Sequence, residues 1–299
     1  MTVWVTGAAG MLGSSVCGRL GALQVEFIGT GRELDIAHRP SVLDFTARHR
    51  PTHIINCAAY TKVDDAESHA DAAYHANALG PEILAQAALG AGAALVHFSS
   101  DYVFDGAGKA PYVESARCGP LSVYGKTKLE GEEQVFRNMG SPDSHRFHLI
   151  RTSWLFGPNG KNFVSTILNL MTERETVSVV DDQWGRPSYT VDVAQAAMEL
   201  SGLTGERSAP SGLYHFANAG ETTWHGLALT VRELALELGW SLRTHTVEPV
   251  DTAHFPRPAR RPAYSVLSTR LAESVLGHPP RAHREAVLDY LRSLRHAAG

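Results

Sequence analysis

Tyr124 and Lys128 stand four residues apart in the run Tyr124-Gly125-Lys126-Thr127-Lys128. On a helix that spacing puts both side chains on one face, about one turn apart. An ammonium so placed can lower the pKa of the phenol and make the tyrosine a usable proton donor near neutral pH. Lysines are few, the others being Lys62, Lys109, Lys126 and Lys161. The spacing also arises by chance, so the surrounding residues have to carry the inference.

Two further segments do so. His97-Phe98-Ser99-Ser100-Asp101 leaves an apolar strand, and Ser100 can donate a hydrogen bond to a carbonyl held near Tyr124. Serine, tyrosine and lysine together suit hydride transfer from a reduced nicotinamide to a ketone. Tyr124 gives the oxygen its proton, Ser100 polarises that oxygen, and Lys128 tunes the phenol while holding ribose hydroxyls. Near the N-terminus, Gly7-Ala8-Ala9-Gly10-Met11-Leu12-Gly13 is a GxxGxxG turn between the first strand and the first helix. Gly7 permits the tight turn, Gly10 lets backbone approach a pyrophosphate, and Gly13 allows close helix–sheet packing. Met11 and Leu12 open the helix whose N–H groups and partial positive charge suit the anion.

The second strand ends in Thr30-Gly31-Arg32, without the acidic residue expected for the ribose hydroxyls of NAD. Arg32 either pairs with a 2′-phosphate, favouring NADPH over NADH, or is a solvent-exposed arginine. Asp35 and Ile36 are placed to flank the adenine. Ala58, Ala59 and Tyr60 follow the third strand, where small side chains let backbone lie against the nicotinamide ribose.

These residues need a sheet to bring them together. Strands are expected over 2–5, 25–30, 52–56, 93–98 and 147–150. Helices are expected over 11–22, 40–49, 121–139 and, bent at Gly80-Pro81, 66–91. This alternation implies a parallel sheet with helices on both faces and strand C-terminal ends along one edge. Past Arg151 the pattern changes: helices over 162–174, 190–203 and 224–238, a strand over 177–180, and an extended Pro- and Arg-rich stretch over 249–262. Residues 212–217 read as a strand returning to the main sheet. The expected organisation is a dinucleotide domain of residues 1–151, with 189–217 returning to it, and a smaller interleaved lobe of 152–188 and 218–299.

A chain of 299 residues suits one large α/β unit with such a lobe. The net charge of −4 argues against a nucleic-acid binder. The three cysteines show no C-x-x-C spacing, so disulfides and a cysteine-rich metal site are not expected and a reducing compartment is. The 15 histidines show no H-E-x-x-H helix, and no metal is expected. The chain enters a strand at once, without a charged leader or an apolar run of membrane-spanning length. A cytoplasmic protein, monomer or homodimer, is expected. Asp64, Asp65 and Glu67 could form an acid–base or metal pair, but a solvated helix N-terminus is the expected reading.

The motifs so far, with Asn56–Glu67, His97–Gly106, Pro120–Glu132, Arg151–Phe163, Asp181–Ser188, Gly212–Trp224 and Arg260–Leu267, resemble the dTDP-4-dehydrorhamnose reductases of the extended short-chain dehydrogenase/reductase superfamily. The resemblance runs nearly end to end. It implies a Rossmann-type doubly wound α/β fold and NADPH-dependent reduction of the 4-keto group of a dTDP-4-keto-6-deoxyhexose, with dTDP-L-rhamnose the leading product. It also implies substrate contacts from Ser100, Asp101 and Trp154, with Tyr102, Asn162 and Gln183 as neighbours and Arg261 facing the nucleotide diphosphate. Trp154 is either a platform for the hexose or an aromatic of lobe packing.

Ser100 stands where the family commonly has threonine, which keeps the hydroxyl. Ser15 and Val191 stand where some members carry glutamates of a magnesium-linked dimer, so that dimer is not expected here. A related antibiotic-pathway ketoreductase, such as a dTDP-dihydrostreptose synthase, and a non-catalytic dinucleotide-binding subunit are the alternative readings.

Overall fold

The structure, a computed structural model, describes residues 1–140, 147–205 and 208–298. The first half runs β1 (Thr2–Thr6), α1 (Met11–Ala22), β2 (Glu26–Thr30), α2 (Arg39–His49), β3 (His53–Asn56), α3 (Val63–Ala66), α4 (Ala70–Tyr74), a π-helical turn (His75–Leu79), α5 (Gly80–Ala91), β4 (Ala94–Ser100), α6 (Val123–Met139) and β5 (Phe147–Thr152). The second half runs β6 (Leu155–Phe156), α7 (Phe163–Glu173), β7 (Thr176–Val180), β8 (Trp184–Gly185), β9 (Ser188–Tyr189), α8 (Thr190–Ser201), β10 (Gly212–His215), β11 (Thr222–Thr223), α9 (Trp224–Glu237), β12 (Thr246–Val250), α10 (Arg270–Leu276) and α11 (His283–Ala298).

Six strands form one parallel sheet in the order β10-β5-β4-β3-β1-β2. Strands β3, β4 and β5 are buried along their whole length, as strands covered by helices on both faces are. α1 and α8 close one face of the sheet over Val16, Leu20, Val96, Val193 and Ala197. α2, α5 and α6 close the other over Trp4, Phe45, Ile54, Leu84 and Val135. The doubly wound α/β fold read from the sequence is therefore present. From β1 the sheet grows outward to β2 on one side and to β3 on the other, so the topology switches direction beside β1. In such sheets the crevice at the switch, past the strand C-termini, receives the ligand.

A second apolar cluster joins α7, α9 and α11 around Phe156, Leu168, Leu227, Val231 and Tyr290. It carries the short parallel pair β7–β12 and the two-residue pairs β6–β9 and β8–β11. Among the described residues no helix is long and apolar enough to cross a membrane.

Two expectations change. The stretch 66–91 is not one bent helix: it breaks after α3, resumes at α4 and passes through the π-helical turn before Gly80-Pro81. Pro81 has no N–H to give the carbonyl of Asn77, four residues earlier, so regular α-helical bonding cannot continue through it. α6 packs close to that carbonyl, since a Cβ on Gly131 would stand 2.0 Å from it. The extended stretch from Pro249 begins inside β12, whose mixed pattern hid it and which is formed by pairing with β7. Ser15 lies inside the fold with its hydroxyl bonded to Thr190 at 2.8 Å, while Val191 is exposed.

Candidate active site

The start of α6 is held by two side chains before any of its functional residues appears. The Ser122 hydroxyl accepts from the N–H of Gly125 at 3.1 Å, and the Glu67 carboxylate accepts from that of Val123 at 2.8 Å. A Cβ on Gly125 would stand 2.2 Å from the carbonyl oxygen of Tyr102, so only glycine lets the helix lie against the turn that follows β4. That approach brings Tyr124 beside Ser100. The Tyr102 and Tyr124 rings meet edge to face, 5.5 Å between centroids.

Ser100, at the end of β4, hydrogen-bonds with the Tyr124 phenol. Its hydroxyl donates to Asp101 at 3.0 Å and accepts from the N–H of Tyr102 at 3.2 Å. The second oxygen of Asp101 accepts from Ser265 at 2.6 Å. Burial nevertheless pushes the Asp101 carboxyl up to about 6, with both serines opposing the shift. Ser265, in the stretch between Arg260 and Leu267, is a contact that sequence reading missed; a small hydroxyl in an extended segment carries no local signal.

Lys128 is buried, and its ammonium donates to the carbonyl of Phe98 at 2.7 Å. Burial brings it down to about 8, against the pull of Glu132. Here the sequence expectation fails in one respect. The Tyr124 phenol is not lowered by Lys128: burial pushes it up to about 12, the Ser100 bond works against that rise, and Asp101 adds to it. The phenol thus keeps its proton at neutral pH, the form a proton donor needs.

Arg261 comes to the same group from the far end of the chain. It grips both carboxylate oxygens of Asp64, at 2.9 and 3.0 Å, donates to the carbonyl of Ala259 at 2.9 Å and bonds Tyr102. The acidic run is therefore not a merely solvated helix end. Asp64 pairs with Arg261, Asp65 accepts from the hydroxyl of Tyr60, and Glu67 caps α6.

Trp154, in the left-handed region at φ 47°, stacks face to face on Trp224 with centroids 3.6 Å apart, and its ring edge abuts Gly185. One face of the indole is thus committed to packing. Trp224 donates to Gln183 at 3.1 Å, and Gln183 donates to Thr252 at 2.8 Å. This group neighbours the first: the N–H of Ser265 donates to the carbonyl of Trp184 at 2.8 Å. Asn162 is not part of either. It caps α7, and its amide donates to Gly157, Gly160 and Tyr290, fastening that loop beside Met11 of the glycine turn.

The glycine turn has the shape expected of it. Gly7 sits at φ 62°, and a Cβ there would come within 2.7 Å of Ala58, so the turns after β1 and β3 touch. A Cβ on Gly13 would come within 2.1 Å of the Gly7 carbonyl oxygen. Gly10 heads α1 with no side-chain cap, and the first turn holds no acidic residue. The N–H groups of Met11 and Leu12 are left for an anion, which fits a dinucleotide pyrophosphate. Thr30 accepts from Trp4 at 2.9 Å inside the fold, and Arg32 is exposed.

Glu33, unnoticed in the sequence, puts its carboxylate on the N–H of Gly31 at 2.5 Å. Asp35 closes a turn by accepting from Ala37 at 2.9 Å, while Ile36 is buried against Gly80. Asn56 ties the β3 end together. Its oxygen accepts from Thr6 at 2.7 Å and from Ala58 at 3.1 Å, leaving Ala59 exposed at the crevice and Tyr60 half-buried. Among the described residues no group of three or more His, Cys, Asp or Glu could hold a metal ion.

Fold and site together define an extended short-chain dehydrogenase/reductase: a doubly wound sheet, a glycine turn at the switch, and a Tyr–Lys helix facing a serine at the end of β4. The chain belongs to the RmlD substrate binding domain family, whose profile matches residues 1–296. It is similar to a dTDP-4-dehydrorhamnose reductase of Streptomyces griseus, 40% identical over 99% of this chain and 94% of that one. It is also similar to a dTDP-4-keto-6-deoxy-D-glucose reductase of Streptomyces niveus, 42% identical over 88% of this chain and 87% of that one. Among solved structures, a dTDP-4-dehydrorhamnose reductase from Bacillus anthracis in complex with NADP superposes with a TM-score of 0.88, at 33% identity over 98% of this chain and 99% of that one.

Proposed function

We propose that the protein reduces the 4-keto group of a dTDP-4-keto-6-deoxyhexose with NADPH, and that dTDP-4-dehydro-L-rhamnose, giving dTDP-L-rhamnose, is its substrate. The observation that carries this reading is the meeting of Ser100, Tyr124 and Lys128 at the strand ends beside the glycine turn. The relatives named above supply the substrate class. The uncapped start of α1 fits the pyrophosphate, Arg32 suits a 2′-phosphate, and the backbone at Ala58 and Ala59 suits the nicotinamide ribose, with NADH as a weaker alternative. When bound, the dinucleotide supplies the hydride.

The rest is the work of this chain. Tyr124 holds a proton for the developing alkoxide, and Ser100 hydrogen-bonds the same oxygen. Lys128 holds the ribose hydroxyls. Asp101, Tyr102, the open face of Trp154 and Gln183 border the sugar, and Arg261 faces the diphosphate. Asn162 contributes by bracing the loop against Met11. We assign residues 1–151 and 189–217 to the dinucleotide and 152–188 and 218–299 to the nucleotide sugar. The free thiols of Cys17, Cys57 and Cys118 support a reducing compartment, hence the cytoplasm.

The Streptomyces niveus relative favours a second reading, in which the unepimerised 4-keto-6-deoxyglucose nucleotide is reduced instead. One experiment separates the two: NADPH oxidation with C3/C5-epimerised and unepimerised dTDP-4-keto sugars, products identified by NMR. Turnover of the epimerised sugar alone supports the first reading. Intact NADPH binding with no turnover of either sugar overturns both and leaves a non-catalytic subunit.

A further inference from the structure

Tyr124, Lys128 and Glu132 follow one another at intervals of four on α6, one row along a single face. Lys128 and Glu132 are each 2% exposed. Both oxygens of Glu132 accept from Arg151 of β5, from Nε at 2.8 Å and from Nη2 at 2.6 Å. Arg151 is 3% exposed and lies over the Phe104 ring, 5.0 Å from its centroid. The result is a buried line of alternating charge: ammonium, carboxylate, guanidinium. Packing does not require it, because an apolar set of similar volume usually serves as well or better.

We propose that Glu132 is a positioning residue for Lys128, the group placed at the ribose hydroxyls: its carboxylate, shared with Arg151, keeps the Lys128 ammonium charged. The proposal rests on the role given to Lys128 above. Burial pulls Lys128 down, and Glu132 is the group that opposes the fall. The other ionisable groups about Lys128 do not replace it. His97 on β4 is neutral, depressed by burial and by Lys128 itself. Asp101 is engaged with two serines, Tyr102 with Arg261, and Tyr124 is uncharged at neutral pH.

Around the pair on the other side stand three groups besides Arg151. The Cys118 thiol, raised by burial, accepts from Arg151 at 3.2 Å. His215 on β10 is brought down to about 3 by burial and by Arg151. Glu114 accepts from the N–H of His215 at 3.0 Å and is raised by burial. Arg151 therefore tempers the charge of Glu132, and the two residues should act on Lys128 with opposite sign.

The test uses protein labelled with 13C at lysine Cε, with the Lys128 signal assigned by its loss in Lys128→Met and followed across neutral and alkaline pH. Glu132→Gln is expected to lower the Lys128 midpoint by about one to three pH units, the usual effect of a neighbouring opposite charge. Arg151→Met is expected to raise it, because Glu132 then acts undivided. Glu132→Gln leaves a buried guanidinium unpaired and can fail to fold. The double variant Glu132→Gln/Arg151→Met removes both charges and must still lower the midpoint. The alkaline limit of NADPH binding, read by cofactor fluorescence, should move with it. A midpoint unmoved in the double variant, or moved the same way by Glu132→Gln and Arg151→Met, overturns the proposal. If the midpoints move as stated while no dTDP-4-keto sugar is reduced by the wild type, the reading of the reaction fails and the role of Glu132 in charging Lys128 stands.

Discussion

Asp64 and Arg261 lie 197 residues apart in the chain and face each other through two parallel bonds of 2.9 and 3.0 Å. The pair ties α3, just past β3, to the extended segment after β12, and the fork also bonds Tyr102 beside the phenol of Tyr124. The Arg261 guanidinium holds the Asp64 carboxyl below the usual carboxylate range.

Replacing Arg261 by lysine keeps the charge and loses the fork. If Arg261 receives the diphosphate, Arg261→Lys should raise KM for the nucleotide sugar about tenfold and change kcat little, the worth of one hydrogen bond to a charged group. An unchanged KM would remove Arg261 from the substrate site and leave it as a tie between the two segments.

Tyr124→Phe removes the proton donor while keeping the ring that meets Tyr102. kcat should fall by about 10²–10⁴, the usual contribution of a positioned acid. NADPH affinity, measured by fluorescence titration, should change far less. Turnover near the wild-type rate would exclude the phenol as the acid.

Asp101 should leave a pH-dependent mark on stability. Its carboxyl is raised to about 6 in the fold from an ordinary 3.8, so between those values the folded protein binds the proton more tightly than the unfolded chain. The cost of burying the charge is felt in full above about pH 6 and is relieved as pH falls towards 3.8. Relative to wild type, Asp101→Asn should therefore gain stability from pH 4 to pH 7, by up to about 3 kcal/mol. Denaturant melts of both proteins at the two pH values check this. A difference independent of pH would refute the assignment.

Arg32 and Glu33 should pull cofactor choice in opposite directions. Glu33 rests its carboxylate on the Gly31 N–H, at the strand end where a 2′-phosphate would come. Arg32→Ala should weaken NADPH and leave NADH nearly unaffected, while Glu33→Gln should strengthen NADPH. The check is Kd for both dinucleotides. Equal losses for both in Arg32→Ala would show that the arginine does not meet the 2′-phosphate.

Much of this protein was legible in its residues. GxxGxxG between an apolar strand and a helix, Tyr-x-x-x-Lys, and the alternation of strands with helices are local patterns. Their meaning depends on spacings that regular secondary structure preserves, so the doubly wound sheet and the trio of Ser100, Tyr124 and Lys128 could be named in advance. What stayed hidden is set by contacts between distant segments. β12 exists because β7 pairs with it. Ser265 reaches Asp101 across 164 residues, and Asp64 finds Arg261 at a similar remove. Local pattern carries no record of such pairings.

The same division runs through the electrostatics. Spacing alone establishes that Tyr124, Lys128 and Glu132 share one face of α6, because a helix repeats every 3.6 residues wherever it lies. Whether that face meets water or the interior is a tertiary matter, and here it decides the chemistry. Packed against β4 and β5, the phenol is pushed up to about 12 and the ammonium down to about 8, where the sequence led us to expect the ammonium to lower the phenol. The order of the residues determined which groups would meet. Their burial, which strips charges of solvent, determined how far each is shifted from its ordinary pKa.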